Sequence, residues 1–221
     1  MGVDNIASDV ATSGHGGAVA RAATEIRGLI LQRSMLPGEQ VRQEDLALQI
    51  GTSRGPIREA LQMLAVEGIL RYERNRGYFV TRFTSDEMEQ LYLIRDLLES
   101  EILKRLPPPE SETVERLRQI NKEIRSAGDD LDRVIQLNHE FHDIIFAASP
   151  LTLLRTELEH IGRMTMAYQS LSINALTDWD LLFDDHEQII DAWQQGDYPR
   201  LVQVSRRHRQ TSLKRLAPIL R

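Results

Sequence analysis

The chain has 221 residues, enough for one large domain or two small ones, and 41% of them are hydrophobic, which suffices for a packed core. It contains no cysteine, so disulfides, thiolate metal sites and cysteine nucleophiles are excluded. No apolar run approaches the roughly 20 residues that a membrane span needs, and residues 1–17 lack the basic start of a signal peptide. We therefore expect a cytoplasmic protein with no membrane partner.

The net charge of −6 argues against a general polyanion binder, but the charge is unevenly distributed. Residues 18–82 hold ten Arg against seven Asp and Glu, whereas residues 1–17 and 83–221 are both net acidic. Positive charge is therefore concentrated where a phosphate backbone would require it. Small domains also acquire a modest net charge by chance, so the charge distribution supports DNA binding only when a DNA-binding motif lies in the same residues.

The first elements are an arm and a helix. Residues 1–17 are rich in Gly, Ser and Ala and show no hydrophobic periodicity, so we expect a disordered arm. Ala22, Ile26 and Ile30 then recur at helical spacing, which predicts a helix to about Ser34.

A helix-turn-helix motif follows within residues 44–64. Leu46 and Ile50 belong to one short amphipathic helix, which Gly51 can end in the left-handed conformation. Ser53 can cap a second helix, and Pro56 fits in its first turn because a missing N–H does no harm there. Arginines at the start of a second helix that follows a tight glycine turn are typical of DNA-reading units.

Two short strand-like runs, residues 69–72 and 78–81, flank a basic tip at residues 73–77 and complete a winged helix-turn-helix over residues 18–82. The side chains and backbone expected to contact DNA are Arg42, Ser53, Arg54, Arg58, Arg76 and Gly77.

The same stretch resembles the DNA-binding domain of GntR-type bacterial transcription regulators. The resemblance rests on the following segments: Pro37-Gly38-Glu39, Leu46-Ala47, Ser53-Arg54-x-Pro56-x-Arg58-Glu59-Ala60-Leu61, Glu67-Gly68 and Asn75-Arg76-Gly77-x-Phe79-Val80. One departure is Gly55, where the family usually has Thr; it costs helix propensity of about 0.5–1 kcal/mol and removes a hydroxyl that can contact phosphate.

After residue 82 every segment has helical periodicity. Thr84 and Glu87 read as a capping box that opens a long helix to about Leu106, where three prolines stop it. Five further helices are expected at about 110–127, 131–147, 151–170, 178–195 and 197–216. The fold class is therefore mainly α, with a winged helix-turn-helix followed by an all-helical bundle, residues 83–221, for effector binding and dimerisation.

Three histidines occupy the inner stripes of three separate helices. His142 follows Asn138 by one helical turn, and His186 and His208 lie among buried-type apolar residues on later helices. Neutral imidazoles converging on one interior point suit Zn²⁺ or Ni²⁺. By spacing alone, three hydrogen-bonded core histidines without an ion remain the more frequent arrangement.

This region resembles the FCD effector domain of the FadR-type branch of the GntR family. In that domain an Asp-x-x-x-His pair and two later histidines bind a divalent metal, so the resemblance implies a metal site at Asn138, His142, His186 and His208 and no organic cofactor. Asn138 stands in the Asp place, and its neutral amide oxygen is a weaker ligand than a carboxylate.

Other charged residues near these helices allow two interpretations. Arg95 can bind an acidic effector or form an ion pair with Glu99 one turn away. Asp184 and Asp185 can support His186 or simply favour a helix start. In the run of residues 206–209 we expect only His208 to face inward.

The sequence thus predicts a homodimeric transcription regulator, either repressor or activator, that binds a pseudo-palindromic DNA operator and responds to a small carboxylate. The competing hypothesis is a metal-dependent enzyme that uses the three histidines. No nucleophile or carboxylate pair stands out beside them, and an enzyme would not explain the wing. A protein-binding adaptor is a third alternative, but the DNA-type arginines argue against it.

Overall fold

The computed structural model describes residues 6–174 and 179–220, which form two compact units, residues 1–82 and 83–221. The first unit contains α1 (Ile6–Leu31), β1 (Gln40–Val41), α2 (Gln43–Ile50), α3 (Arg54–Val66), β2 (Leu70–Glu73) and β3 (Gly77–Val80). The second contains α4 (Ser85–Leu103), α5 (Ser111–Ala127), α6 (Leu131–Ala147), α7 (Thr152–Met164), α8 (Met166–Asn174), α9 (Trp179–Gln194) and α10 (Tyr198–Leu216). The mainly helical fold class is confirmed.

The core of the first unit lies between α1 and α3, whose apolar stripes pack together. The stripe of α3 is formed by Ile57, Ala60, Leu61 and Leu64, all fully buried. At the end of α3, Glu67 accepts two hydrogen bonds from Arg27 of α1, at 2.7 and 2.6 Å. This pair ties α1 to the end of α3, so the arginines at the start of α3 project from a fixed helix.

The turn between α2 and α3 follows the sequence prediction. Gly51 ends α2 with φ 69° and ψ 41°, and the Thr52 N–H donates to the Ala47 carbonyl at 3.0 Å. Ser53 occupies the N-cap position of α3 but makes no side-chain capping bond. Its hydroxyl is therefore not engaged by the helix.

The wing is a three-stranded antiparallel sheet in the order β1-β3-β2. Glu73 pairs with Gly77, and the connecting residues include Asn75 at φ 63°. Because Asn tolerates the left-handed region and Gly77 itself has φ 88°, the chain reverses tightly and presents residues 74–76 at the tip.

The first helix begins earlier than the sequence suggested. It starts at Ile6, so residues 6–17, which we expected to form a disordered arm, are helical, while residues 1–5 lie outside the described residues. Extending an existing helix adds one hydrogen bond per residue without a new nucleation step, and apolar periodicity does not report that process.

The second unit is a helical bundle whose first helix opens with the predicted capping box. The Glu87 N–H donates to Thr84 Oγ1, and the Thr84 N–H donates to Glu87 Oε2. The segment expected as one helix at 151–170 is divided at Thr165, whose hydroxyl donates back to the Ile161 carbonyl at 2.9 Å. No helix in the described part of the chain is long and apolar enough to cross a membrane.

Helix α10 is tied to α4 by a cluster of charges, of which Arg209 and Glu99 are buried. Arg209 pairs with Glu99, and its Nη2 lies 2.5 Å from Asp96 Oδ1; Arg206 also donates to Asp96, at 3.0 Å. Arg209 is 6% exposed and Glu99 is 3% exposed. The expectation that only His208 of this run faces inward was therefore wrong, because Arg209 finds carboxylates on a distant helix.

Candidate functional site

Three imidazoles meet inside the second unit. His142 of α6, His186 of α9 and His208 of α10 each offer a ring nitrogen within 4.8 Å of the other two. Their ring centroids are 5.2 to 5.5 Å apart. The structure thus brings together the three histidines that the sequence placed on separate helices. They form the only group of three His, Cys, Asp or Glu with metal-ligand spacing among the described residues.

The rings are held in place by residues on neighbouring helices. His186 is fully buried and stacks on Phe141, with ring centroids 4.0 Å apart and planes inclined by 10°. Its Nδ1 lies 3.2 Å from Asn121 Oδ1. Asn121 Nδ2 already donates to Phe183 O and to Glu187 Oε1, so Oδ1 is the acceptor and His186 Nδ1 carries the proton.

This tautomer leaves the other nitrogen of His186 as a lone-pair donor. Among the described residues, His186 Nε2 is buried and has no hydrogen-bond partner. Asn138 Oδ1, one turn before His142 on α6, is likewise buried and without a partner within the described structure. Two orphaned acceptor atoms inside a protein carry a desolvation penalty that a cation would relieve.

Asp185 supports His208 from the next residue along α9. Asp185 Oδ2 lies 3.4 Å from His208 Nδ1, and Asp185 Oδ1 lies 2.5 Å from Arg207 Nη2. Burial alone would raise the pKa of Asp185, but hydrogen bonds from His208 and Arg207 outweigh burial and lower that pKa. Of the two roles considered for this carboxylate, the structure favours support of a histidine, though of His208 rather than His186.

Two of the three rings, those of His142 and His186, are held in the neutral form. Burial, followed by the neighbouring His208 and His186 rings, holds the pKa of His142 well below 6.5. Burial and then His208 lower the pKa of His186 in the same way. Neutral imidazole is the form that ligates metal, so the donor set suits Zn²⁺ or Ni²⁺ without a prior proton release from these two rings.

Arg95 lies beside the cluster but is already paired. Its Nε and Nη2 are 3.1 and 3.0 Å from Glu99 Oε1. After burial and the neighbouring histidines, the positive charge of Arg95 also lowers the pKa of His142, which places it near that ring. Of the two interpretations of Arg95, the ion pair with Glu99 is the one that the structure contains.

The residues expected at DNA lie on the first unit. Arg42 is the N-cap of α2, and Arg54 and Arg58 lie in the first half of α3; all three are exposed. Arg54 pairs with Glu44 at 3.0 Å. The structure places Ser53 directly before Arg54, at the same end of α3.

The wing contributes Arg76 and Gly77. Arg76 pairs with Glu73, and its guanidinium carbon lies 5.0 Å from the centre of the Phe79 ring. Its carbonyl accepts a hydrogen bond from Gln40 Nε2 at 2.6 Å, which connects the tip to β1.

Sequence reasoning missed two residues that lie around the histidine cluster. Asn121 and Arg209 interact with partners 65 and 110 positions away, and neither belongs to a motif. Both lie at buried positions of otherwise apolar helical stripes, which was the only available signal.

A winged helix-turn-helix joined to a helical unit is the architecture of a DNA-binding transcription regulator. The comparisons agree: residues 18–80 match the family model "Bacterial regulatory proteins, gntR family", and residues 90–211 match the FCD domain. The chain belongs to the GntR family, and its second unit is an FCD domain. It is a DNA-binding transcription regulator and not an enzyme.

Similar proteins carry related descriptions. The chain is 30% identical over 200 residues to a "Probable D-xylose utilization operon transcriptional repressor" of Paenarthrobacter nicotinovorans, covering 84% of each chain. It is 27% identical over 191 residues to the "Gluconate operon transcriptional repressor" of Bacillus subtilis, covering 83% of this chain and 78% of the relative. The fold is shared with a crystal structure of a GntR regulator from Rhodococcus, at a TM-score of 0.71 and 21% identity, covering 92% and 99%.

The neutral histidines predict how stability depends on pH. The unfolded chain takes up protons near the ordinary histidine pKa of 6.5, whereas the pKa values of folded His142 and His186 are lower. The unfolded state therefore binds more protons than the folded state below about pH 6.5. The free energy of unfolding of metal-free protein should keep the full contribution of these two histidines above about pH 6.5 and should decrease as the pH falls below that value. Tm measured from pH 8 to pH 5 tests this. His186→Leu should flatten the slope and His160→Leu, outside the cluster, should keep it; equal slopes would contradict the assignment.

Proposed function

We propose that this regulator is a homodimeric repressor that binds a pseudo-palindromic operator and senses a small carboxylate at a divalent metal site. The observation that carries the proposal is the convergence of three imidazoles inside the FCD domain, with a buried amide oxygen of Asn138 that has no hydrogen-bond partner among the described residues. The repressor role is supported by the two relatives described above, whose names call them repressors.

The DNA-binding assignment rests on charge and exposure. Arg58 is exposed and makes no ion pair within the described structure, so its guanidinium is free for a guanine edge. Arg42, Ser53 and the backbone of Gly77 supply donors suited to phosphate, and Arg76 extends from the wing tip toward a minor groove. Arg54 and Arg58 share the first half of the reading helix, and a dimer would place two such helices in successive major grooves.

The metal assignment rests on the donor set. His142, His186, His208 and Asn138 would hold the ion, with Zn²⁺ or Ni²⁺ as the expected metals. When bound, the metal supplies a positive charge that can attract a carboxylate, because none of the four donors is anionic. Asn121 and Asp185 orient His186 and His208 for this role through the contacts described above.

Arg95 is the proposed second anchor for the effector. Glu99 pairs with two cations, the partly exposed Arg95 and the buried Arg209, so it can release Arg95 to an incoming carboxylate and still be neutralised by Arg209. Arg209 follows His208 directly and pairs with α4, the helix that begins at Ser85 just after the DNA-binding unit in the chain. Effector binding can therefore reach α4 through residues that already contact it.

The dimer interface is proposed to include the outer face of α4. Leu93, Ile94 and Leu97 are 59%, 44% and 60% exposed and fall on one side of the helix. Three adjacent exposed aliphatic side chains are costly in water, and a second copy of the same face would cover them.

For DNA binding, Arg58→Ala should weaken operator affinity by about 1–3 kcal/mol because a base-edge contact is lost. Arg21→Ala removes the same charge from an exposed position of α1 and should change affinity little. Genomic-fragment selection would supply the operator and fluorescence anisotropy the affinities. Equal losses in both variants would show that only net charge matters.

For the metal, purified protein should contain a divalent ion detectable by mass spectrometry, and the stripped protein should bind Zn²⁺ or Ni²⁺ in calorimetry. His186→Ala should weaken that binding by at least about tenfold, and Asn138→Asp should tighten it by adding a carboxylate ligand. His160→Ala is the matched control. If wild type and His186→Ala bind metal equally, or neither binds, the cluster is a hydrogen-bonded core.

For assembly, Leu97→Glu should dissociate the dimer because burying an unpaired carboxylate at the interface is unfavourable. Leu153→Glu changes an exposed leucine of α7, 80% exposed, and should leave the dimer intact. Sedimentation velocity at micromolar concentration measures both. A monomeric wild type that retains full operator affinity is the result that rejects the dimer.

A further inference from the structure

Glu44 and Arg54 connect the two helices of the helix-turn-helix motif. Glu44 lies in the first turn of α2 and Arg54 is the first residue of α3, and Glu44 Oε1 lies 3.0 Å from Arg54 Nη2. Their side chains are 69% and 75% exposed. Ion pairs this exposed contribute little to folding stability, so the significance of the pair lies at the surface that it forms.

An acidic side chain is unfavourable on a surface that meets a polyanion. Glu44 neutralises one of the arginines available to phosphate and so lowers the number of counterions that DNA binding releases. This effect weakens binding to every duplex, whatever its sequence. Arg58, on the same half of α3, has no such partner within the described residues. The DNA-facing end of α3 therefore presents one restrained arginine and one unrestrained arginine.

An arginine that is held by a carboxylate can recognise a different set of acceptors on DNA than an arginine without such a partner. A guanidinium that gives one of its N–H edges to a carboxylate keeps other N–H groups for an acceptor in the same plane. Guanine offers two such acceptors, O6 and N7, in the major groove. A phosphate would draw the side chain away from the groove, and that movement would break the contact with Glu44.

We propose that Glu44 is a positioning residue for base readout, which holds Arg54 for a guanine and disfavours its use on phosphate. This inference rests on the proposed role of α3 as the DNA-reading helix. Glu44 thereby lowers the affinity for DNA of any sequence and increases the discrimination between operator and other sequences.

The test compares full-length wild type, Glu44→Gln and Asp45→Asn. Asp45 follows Glu44 in the same helical turn, is exposed and has no ion pair in the described part of the chain. Both substitutions remove one negative charge. Affinity is measured for the selected operator, for operators with each half-site base pair replaced, and for an unrelated duplex, at several salt concentrations.

Glu44→Gln should bind the unrelated duplex more tightly and lose about tenfold discrimination at one G·C pair, within the range that a bidentate contact provides. For this variant, the slope of log affinity against log salt concentration should become steeper by about the amount that one additional phosphate contact contributes. Asp45→Asn should keep the base preferences of wild type. Arg54→Ala should lose discrimination at the same base pair, and the double variant Glu44→Gln with Arg54→Ala should lose no more.

Two results overturn the proposal: unchanged base preferences in Glu44→Gln, or the same loss of discrimination in Asp45→Asn. Either can occur while the wild type still binds its operator, which leaves the proposed function standing. Failure of wild type to prefer any duplex would reject that function first, and this inference with it.

Discussion

The geometry of the FCD domain depends on how α10 is held in register. Arg209 pairs with Glu99 and Asp96 of α4, and Arg207, two residues earlier, pairs with Asp185 of α9. His208 lies between these two anchors, so its ring cannot shift along the helix axis without separating the buried Arg209–Glu99 pair. Removing one partner of a buried pair costs about 3–5 kcal/mol, which is a strong constraint beside the modest stability of a whole domain.

The histidine cluster follows from that constraint. With α10 fixed, the His208 ring meets His142 and His186 at centroid distances of 5.2 Å each. Burial keeps the pKa values of His142 and His186 low, so these rings can lie close together without repulsion. The polar contacts of Asn121 and Asp185 leave nitrogen lone pairs available in the interior. An apolar core would have filled this space with aliphatic side chains, whereas here His186 Nε2 and Asn138 Oδ1 have no hydrogen-bond partner among the described residues.

The elements that the sequence predicted well have local causes. Gly51 ends α2, and Thr84 with Glu87 opens α4, because each feature depends on residues within one turn. The histidines were found because helical periodicity assigns a face to each residue. The partners of those histidines were not found, since Asn121 and Arg209 act across separations that no local pattern encodes. The division at Thr165 was also missed, because one hydroxyl bonding back to Ile161 leaves the apolar periodicity intact.

Arginine has opposite roles in the two units, and burial distinguishes them. In the FCD domain the side chain of Arg209 is 7% exposed and that of its partner Glu99 is 3% exposed, so this pair fixes the position of a helix. In the DNA-binding unit the side chains of Arg54 and Glu44 are mostly exposed, so solvent screens their attraction and the remaining N–H groups of Arg54 are accessible to DNA. The sequence presents the two arginines identically, each within four residues of another arginine on a helix. Only the environment of the partner carboxylate separates an arginine that maintains structure from one that remains available to a ligand.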